Sequence, residues 1–270
     1  MNPLTTALLE RLGLRHESPT RDYLTRVHRA FVAGVTYDTI GIQLGDPPPL
    51  DPEAAARRVL SGRVGYCFGM NGALWWLLRE LCFDVTLHAG VVRRPVDPEP
   101  GVNHLTLVVH LADGNLLADA GMGDGLFEPL PLAEGEYAQG PFTFGLHPNG
   151  AGWRFVHDPR GSFACMDFEP DVIGFDALEG PHAHLSTSPE SGFVQALVLL
   201  RRRAEGIDIL RSRTLYRSDR DGRSKRVLTD ADDLRKVMGS VFEVEVDDSE
   251  LQVLWQRAEQ QHQAFLDARH

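Results

Sequence analysis

The 270-residue chain is 43% hydrophobic and 24% charged, and a fold of this length hides roughly 70–75% of the surface its unfolded chain exposes, which excludes disordered and fibrous architectures. Its 27 Lys and Arg against 38 Asp and Glu leave a net charge of −11, which opposes non-specific attraction to nucleic acid or anionic membranes and points to a small-molecule or protein partner. The 3 cysteines are an odd set that argues against a disulfide framework, fits a reducing cytosol and leaves a reactive thiol or metal binding to be weighed.

In chain order, Met1-Asn2-Pro3-Leu4-Thr5-Thr6 carries no basic segment followed by an apolar one, and no run approaches the roughly 18–20 apolar residues of a membrane span, so a cytoplasmic protein is expected. Thr20 caps a predicted helix whose Tyr23, Leu24, Val27 and Phe31 share one face. After Pro47-Pro48-Pro49, Asp51-Pro52-Glu53 opens a second, with Asp as cap and Pro at the first helical position. The run from Phe68 to Leu81 reads as a mostly buried helix preceded by Gly65-Tyr66-Cys67. From Val85 the pattern turns to short β-rich runs at 85–92, 105–111 and 116–118, the last two a hairpin about Asp113-Gly114-Asn115. Pro95–Pro100 reads as a loop, and the glycine-rich, proline-rich stretch to about residue 180 suggests a small sandwich or barrel. Beyond Ser186-Thr187-Ser188-Pro189, strands are predicted over 193–200, 207–216 and 241–246, with helices starting near Thr229 and Asp247. The chain thus divides into a helical segment 1–84, a β segment 85–190 and a mixed α/β segment 191–270.

Cys67 follows a glycine and an aromatic at a helix start, where the dipole and free N–H groups favour a thiolate. Cys82 and Cys165 lack that setting and are assigned to packing. A cysteine nucleophile needs a base, and the base an orienting acceptor. His104 opens one strand of the predicted hairpin and Asp119 ends its partner, so the turn brings both to one open edge. The expected arrangement has Asp119 accepting from Nδ1 while Nε2 faces the sulfur. His157, Cys165, His182 and His184 match no strong zinc spacing, and no metal is expected. No phosphate-cradling glycine motif is present.

Arg63-Val64-Gly65-Tyr66-Cys67-Phe68, Asn103-His104-Leu105, Asp119-Ala120-Gly121-Met122-Gly123 and Ser186-Thr187-Ser188-Pro189-Glu190-Ser191-Gly192-Phe193, in that order, resemble the arylamine N-acetyltransferase family across nearly the whole chain. The resemblance implies an α+β fold with a cysteine-protease-like core: an N-terminal helical domain, a central β-barrel and a C-terminal α/β lid. It also implies a Cys67–His104–Asp119 triad passing an acetyl or other acyl group from acyl-coenzyme A, as co-substrate, to the nitrogen of an arylamine or hydrazine. Second to the triad, Asp38 is expected to pair with Arg63; Phe68, Met122 and Gly123 are expected to line the substrate pocket. The excess of basic residues between Arg201 and Arg226, above all Arg220, Arg223 and Lys225 near a hairpin tip, is a candidate site for the coenzyme phosphates or a phosphopantetheine carrier.

Departures from the family pattern are Val64 for a glycine, Gly69 for a glutamate, Met122 for an aromatic residue, and Thr36-Tyr37-Asp38-Thr39-Ile40 for Pro-Phe-Glu-Asn-Leu. They leave room for a competing expectation, an amide synthase of the same fold that takes its acyl chain from an acyl carrier protein. A catalytically silent binding relative is a further alternative, opposed by the retention of Cys67, His104 and Asp119 together. The sequence does not indicate the oligomeric state.

Overall fold

The computed structural model describes residues 2–94 and 101–267, so the expected loop at Pro95–Pro100 lies outside the described residues. The chain opens with helices α1 (Pro3–Arg11) and α2 (Arg21–Gly34), a short strand β1 (Tyr37–Asp38), then α3 (Ile40–Leu44), α4 (Pro52–Ser61) and α5 (Cys67–Glu80). The expected caps hold α2 and α4: Tyr23 N donates to Thr20 Oγ1 at 3.2 Å and Ala54 N to Asp51 Oδ1 at 2.7 Å. Helix α5 is apolar nearly all round and accordingly buried, as a helix without a solvent face must be.

Eight strands follow: β2 (Asp84–Arg93), β3 (His104–His110), β4 (Leu116–Leu117), β5 (Leu130–Pro131), β6 (Gly135–Gln139), β7 (Phe142–Asn149), β8 (Gly152–Val156) and β9 (Cys165–Val172). They form one barrel-like sheet in the order β5-β4-β3-β2-β9-β8-β7-β6 with antiparallel neighbours. The predicted hairpin is present, with Val109 opposite Leu116 and Val108 opposite Leu117. Helices and barrel share one apolar core, in which Phe31, Leu74 and Leu77 meet Leu105, Leu107 and Phe155.

Helices α6 (Glu179–Thr187) and α7 (Gly192–Gln195) lead to strands β10 (Val198–Arg203), β11 (Gly206–Arg211), β12 (Thr214–Asp219) and β13 (Gly222–Val227), then to α8 (Ala231–Phe242) and α9 (Asp248–Asp267). This second sheet runs β1-β10-β11-β12-β13. Its edge strand comes from residues 37–38, so the C-terminal segment completes its sheet with a piece of the N-terminal one. Side-chain alternation gives β10 and β11 two buried faces, whereas β13 is exposed along its length. Val198 and Leu200 join the main core, whereas Leu199 and Leu210 pack on Leu234, Met238 and Leu254 of α8 and α9 in a second core.

Several expected elements differ. The strand expected over 193–200 begins at Val198 because α7 precedes it. The strand expected over 207–216 is two, β11 and β12, reversed at Ser212 with φ 49°. In the stretch 241–246, expected as a strand, Val241 and Phe242 end α8 and the rest is irregular: Leu234, Val237, Met238 and Phe242 bury one helical face, and Glu243 at φ 56° stops the helix. No helix among the described residues is long and apolar enough to cross a membrane.

Candidate active site

Cys67 is the first residue of α5 and is 3% exposed. Gly65 brings the chain into the helix at φ 99°, and a Cβ there would lie 2.6 Å from Pro48 Cγ, so both conformation and space require glycine. The Cys67 sulfur lies 3.7 Å from the Asn103 carbonyl oxygen. Asn103 is itself fixed by its side chain, whose Oδ1 accepts from Val92 N at 2.7 Å and whose Nδ2 donates to Val92 O at 3.0 Å.

His104 opens β3, two positions before the core residue Thr106, and Asp119 follows β4. Their side chains meet in the buried interior, His104 Nε2 lying 2.7 Å from Asp119 Oδ2. The ring orientation is the reverse of the sequence expectation: Nε2 serves the carboxylate, which leaves Nδ1 for Cys67, the ring's other hydrogen-bonding neighbour. Burial works against a charged imidazole here, but the Asp119 carboxylate and the cysteine outweigh it and push the His104 pKa up to about 10. Asp119 is held below its ordinary value despite burial, because His104 and then Asn71 bind its charged form.

Asn71, one helical turn after Cys67, was not singled out in the sequence, yet it organises the carboxylate. Its Nδ2 donates to Asp119 Oδ1 at 3.0 Å and to the Leu105 carbonyl, while its Oδ1 accepts from Ala120 N at 2.8 Å and Gly121 N at 3.0 Å. Asp119 Oδ1 also accepts from Gly121 N at 2.8 Å and Met122 N at 3.1 Å. Gly121 must be glycine, since a Cβ would lie 2.7 Å from Asn71 Nδ2.

Asp38 and Arg63 do not pair. Asp38 is buried and accepts from Gly65 N at 2.9 Å and Ile40 N at 2.9 Å, tying the approach to Cys67 to the start of α3. Arg63 turns outward to Glu250 of α9 at 2.7 Å, where solvent lowers the cost of the charge.

A cavity of about 610 Å³ opens over Cys67 and His104, walled by Met122, Phe163, Phe193 and Leu200 among others. Met122 is among its lining residues, whereas Phe68 and Gly123 are not among the described ones. Phe68 packs instead against Tyr66, with ring centroids 5.4 Å apart, and Gly123 is closed off by Leu200, whose Cδ1 would lie 2.4 Å from a Cβ. Arg223 lines the cavity and Arg211 joins it; Lys225 pairs in register with Tyr216 on the same sheet face but is not a described lining residue. Arg220, in the β12–β13 turn, lines a separate cavity with Arg29 and Glu128.

Behind the wall lies a second buried His–Asp pair. His157 Nε2 is 3.4 Å from Asp124 Oδ1, and Asp124 accepts from Ser162 N at 2.7 Å and Ser162 Oγ at 2.9 Å. His157 Nδ1 donates to Asp158 O at 3.0 Å, and His182 Nδ1 lies 2.6 Å from the Tyr66 hydroxyl, so neither is poised for metal. Among the described residues no group of three or more His, Cys, Asp or Glu could hold a metal ion.

The sequence profile of the N-acetyltransferase family matches residues 20–251. The chain belongs to the arylamine N-acetyltransferase family. Curated members include arylamine N-acetyltransferase 1 of rabbit (Oryctolagus cuniculus), 25% identical over 88% of this chain and 93% of that protein, and its human counterpart, 26% identical over the same shares. Among solved structures, the Mycobacterium marinum arylamine N-acetyltransferase in complex with CoA superposes with a TM-score of 0.87 at 27% identity, covering 95% of this chain and 98% of that one. This arylamine N-acetyltransferase family member is therefore an acyltransferase with the α+β fold of its relatives, and none of these comparisons favours an amide synthase.

Proposed function

We propose that the enzyme moves an acetyl or other acyl group from acyl-coenzyme A, through a thioester on Cys67, to the nitrogen of an arylamine or hydrazine. The observation that carries this reading is the line Cys67–His104–Asp119, buried but opening onto the cavity. His104, raised well above its ordinary value, already holds the thiol proton as an imidazolium, and the Cys67 thiolate adds to the thioester carbonyl. Collapse expels the coenzyme thiolate, which leaves with the proton returned by His104. The amine then attacks the acyl-cysteine, His104 takes the amine proton, and Cys67 departs as thiolate to be reprotonated. Asp119 holds the ring and offsets its charge. The N–H groups of the first turn of α5, which have no partner within the helix, suit the oxyanion.

Arg211 and Arg223, with Lys225 on the same sheet face, are proposed to attract the coenzyme phosphates; Arg220 is set aside because of its position. A nucleophilic thiol must stay reduced, which suits a cytoplasmic location. Intact mass spectrometry after acetyl-coenzyme A without acceptor should reveal one acetyl adduct, absent in Cys67→Ser. Mapping it to Cys82 or Cys165 refutes the assignment.

A further inference from the structure

One corner of the cavity is more polar than acyl transfer to a plain arylamine requires. Tyr37 stands where the family pattern has phenylalanine. Its strand is fixed on both sides: Tyr37 pairs with Leu200, while Asp38 N donates to Gly65 O at 3.0 Å, two residues before the nucleophile. The ring is 5% exposed, lies 6.5 Å from the Phe193 ring and lines the cavity together with Cys67. Its hydroxyl makes no hydrogen bond among the described residues. Burial, and then the neighbouring Cys67, hold that hydroxyl well above the ordinary tyrosine range, so it is a proton donor.

Arg94 reaches the same corner from just past β2, two residues beyond the Val92 that Asn103 pins beside Cys67. Its guanidinium lies over Gly192, where a Cβ would be 3.6 Å from Nη1, next to the Phe193 that Tyr37 faces. Arg94 has no carboxylate partner among the described residues. Arg211 lines the same cavity, and desolvation followed by the like charge of Arg94 pulls its guanidinium below the ordinary value. Glu190 is the single acidic residue among the described lining residues. Guanidinium groups gathered at a cavity favour an anionic ligand. The phosphates of coenzyme A sit at the far end of the pantetheine arm from the thioester carbon, so they answer to Arg211 and Arg223 and leave Tyr37 and Arg94 to the reacting end.

We propose that Tyr37 and Arg94 form a subsite for a carboxylate carried near the reacting centre, on the acyl group or on the amine acceptor. The inference rests on the acyl-transfer reading above. Arg94 supplies two parallel donors to the carboxylate and the Tyr37 hydroxyl a third, each strengthened by the ligand's charge.

Two pairs of probes, both free of coenzyme A, separate the sources. For the acceptor, the full chain is acetylated with p-nitrophenyl acetate and kcat/KM is compared for para-aminobenzoate and para-aminobenzamide. For the acyl group, acylation of Cys67 by the succinyl and butyryl thioesters of N-acetylcysteamine is followed by mass spectrometry. In one pair the carboxylate member should exceed its neutral partner. Arg94→Gln should lower that ratio about 10- to 100-fold and Tyr37→Phe about tenfold, as expected for hydrogen bonds to a charged group. The ratio cancels any general loss of activity in a variant. Equal rates within both pairs, or a ratio unmoved by Arg94→Gln, overturn the subsite while leaving the acyl-transfer reading intact. A chain that is never acylated at Cys67 overturns both.

Discussion

Asp119→Asn tests the orientation of the catalytic line most directly. Asp119 Oδ1 receives three donors, Asn71 Nδ2 at 3.0 Å, Gly121 N at 2.8 Å and Met122 N at 3.1 Å, whereas Oδ2 bonds His104 Nε2 at 2.7 Å. An asparagine must therefore place its carbonyl oxygen at the Oδ1 position, because an NH2 there would confront three N–H groups and leave buried donors unpaired at about 1–3 kcal/mol each. Its NH2 then points at His104 Nε2 and converts that nitrogen to an acceptor. The proton moves to Nδ1, the edge facing Cys67, and the ring can no longer take a proton from the thiol. With the carboxylate gone, burial is left as the main influence and pulls the imidazole down from about 10. The expected loss is about 10²–10⁴ in acyl-transfer rate, as for the same change in a serine triad. Iodoacetamide labelling of Cys67 should slow in parallel, with the fold unchanged by circular dichroism. Near-normal labelling and turnover would refute both the ring orientation and the role given to Asp119.

Other outcomes follow from the same geometry. Asn71→Ala removes four hydrogen bonds to the Leu105–Met122 region and should lower the rate at least tenfold and stability by about 2–4 kcal/mol, measured by urea denaturation. The Asp124 carboxylate raises His157, and His157 followed by Ser162 lowers Asp124, both despite burial. A raised histidine contributes stability that is full below its unfolded value and lost as pH climbs through the folded one. His157→Gln should accordingly cost about 3 kcal/mol at mildly acidic pH, with the difference in Tm from the parent shrinking as pH rises; a difference that grows with pH contradicts the ion pair. Neutralising Arg211 and Arg223 together should raise KM for acetyl-coenzyme A several-fold and flatten its salt dependence. Equal effects on p-nitrophenyl acetate would make the two arginines structural.

Much of the fold was legible where the signal is local. Thr20 and Asp51 name their helices because a capping side chain bonds N–H groups two or three residues away, and Leu116 meets Val109 because a short turn leaves little choice of register. Cys67, His104 and Asp119, each at the end of an element, stand out less by position than by the four ordered motifs that resemble the arylamine N-acetyltransferase family. Local pattern failed where tertiary packing chose between periods. Val241–Val246 alternates like a strand, but burial of Leu234, Met238 and Phe242 against α9 carries the helix through Phe242. Asp38 looked like a partner for Arg63, yet two backbone N–H groups need that buried carboxylate more than an arginine with a route to solvent does.

The least legible feature is how Cys67 and Asp119, the proposed nucleophile and orienting carboxylate, keep their distance, although they come from different layers of the fold. Cys67 belongs to a buried helix and Asp119 to the end of a barrel strand, and no contact between those backbones is implied by either sequence motif. The bridge is Asn71, which sits on the Cys67 face of α5 and bonds the Asp119 side chain and the two N–H groups that follow it. Because Cys67 and Asn71 are one turn apart on a rigid helix, any shift of the barrel relative to α5 must break several buried hydrogen bonds before it can separate the thiol from the imidazole. A polar residue four places after a helix-start cysteine, in an otherwise apolar helix, is the trace this leaves in the sequence; its meaning appears only once the strand end it holds is known.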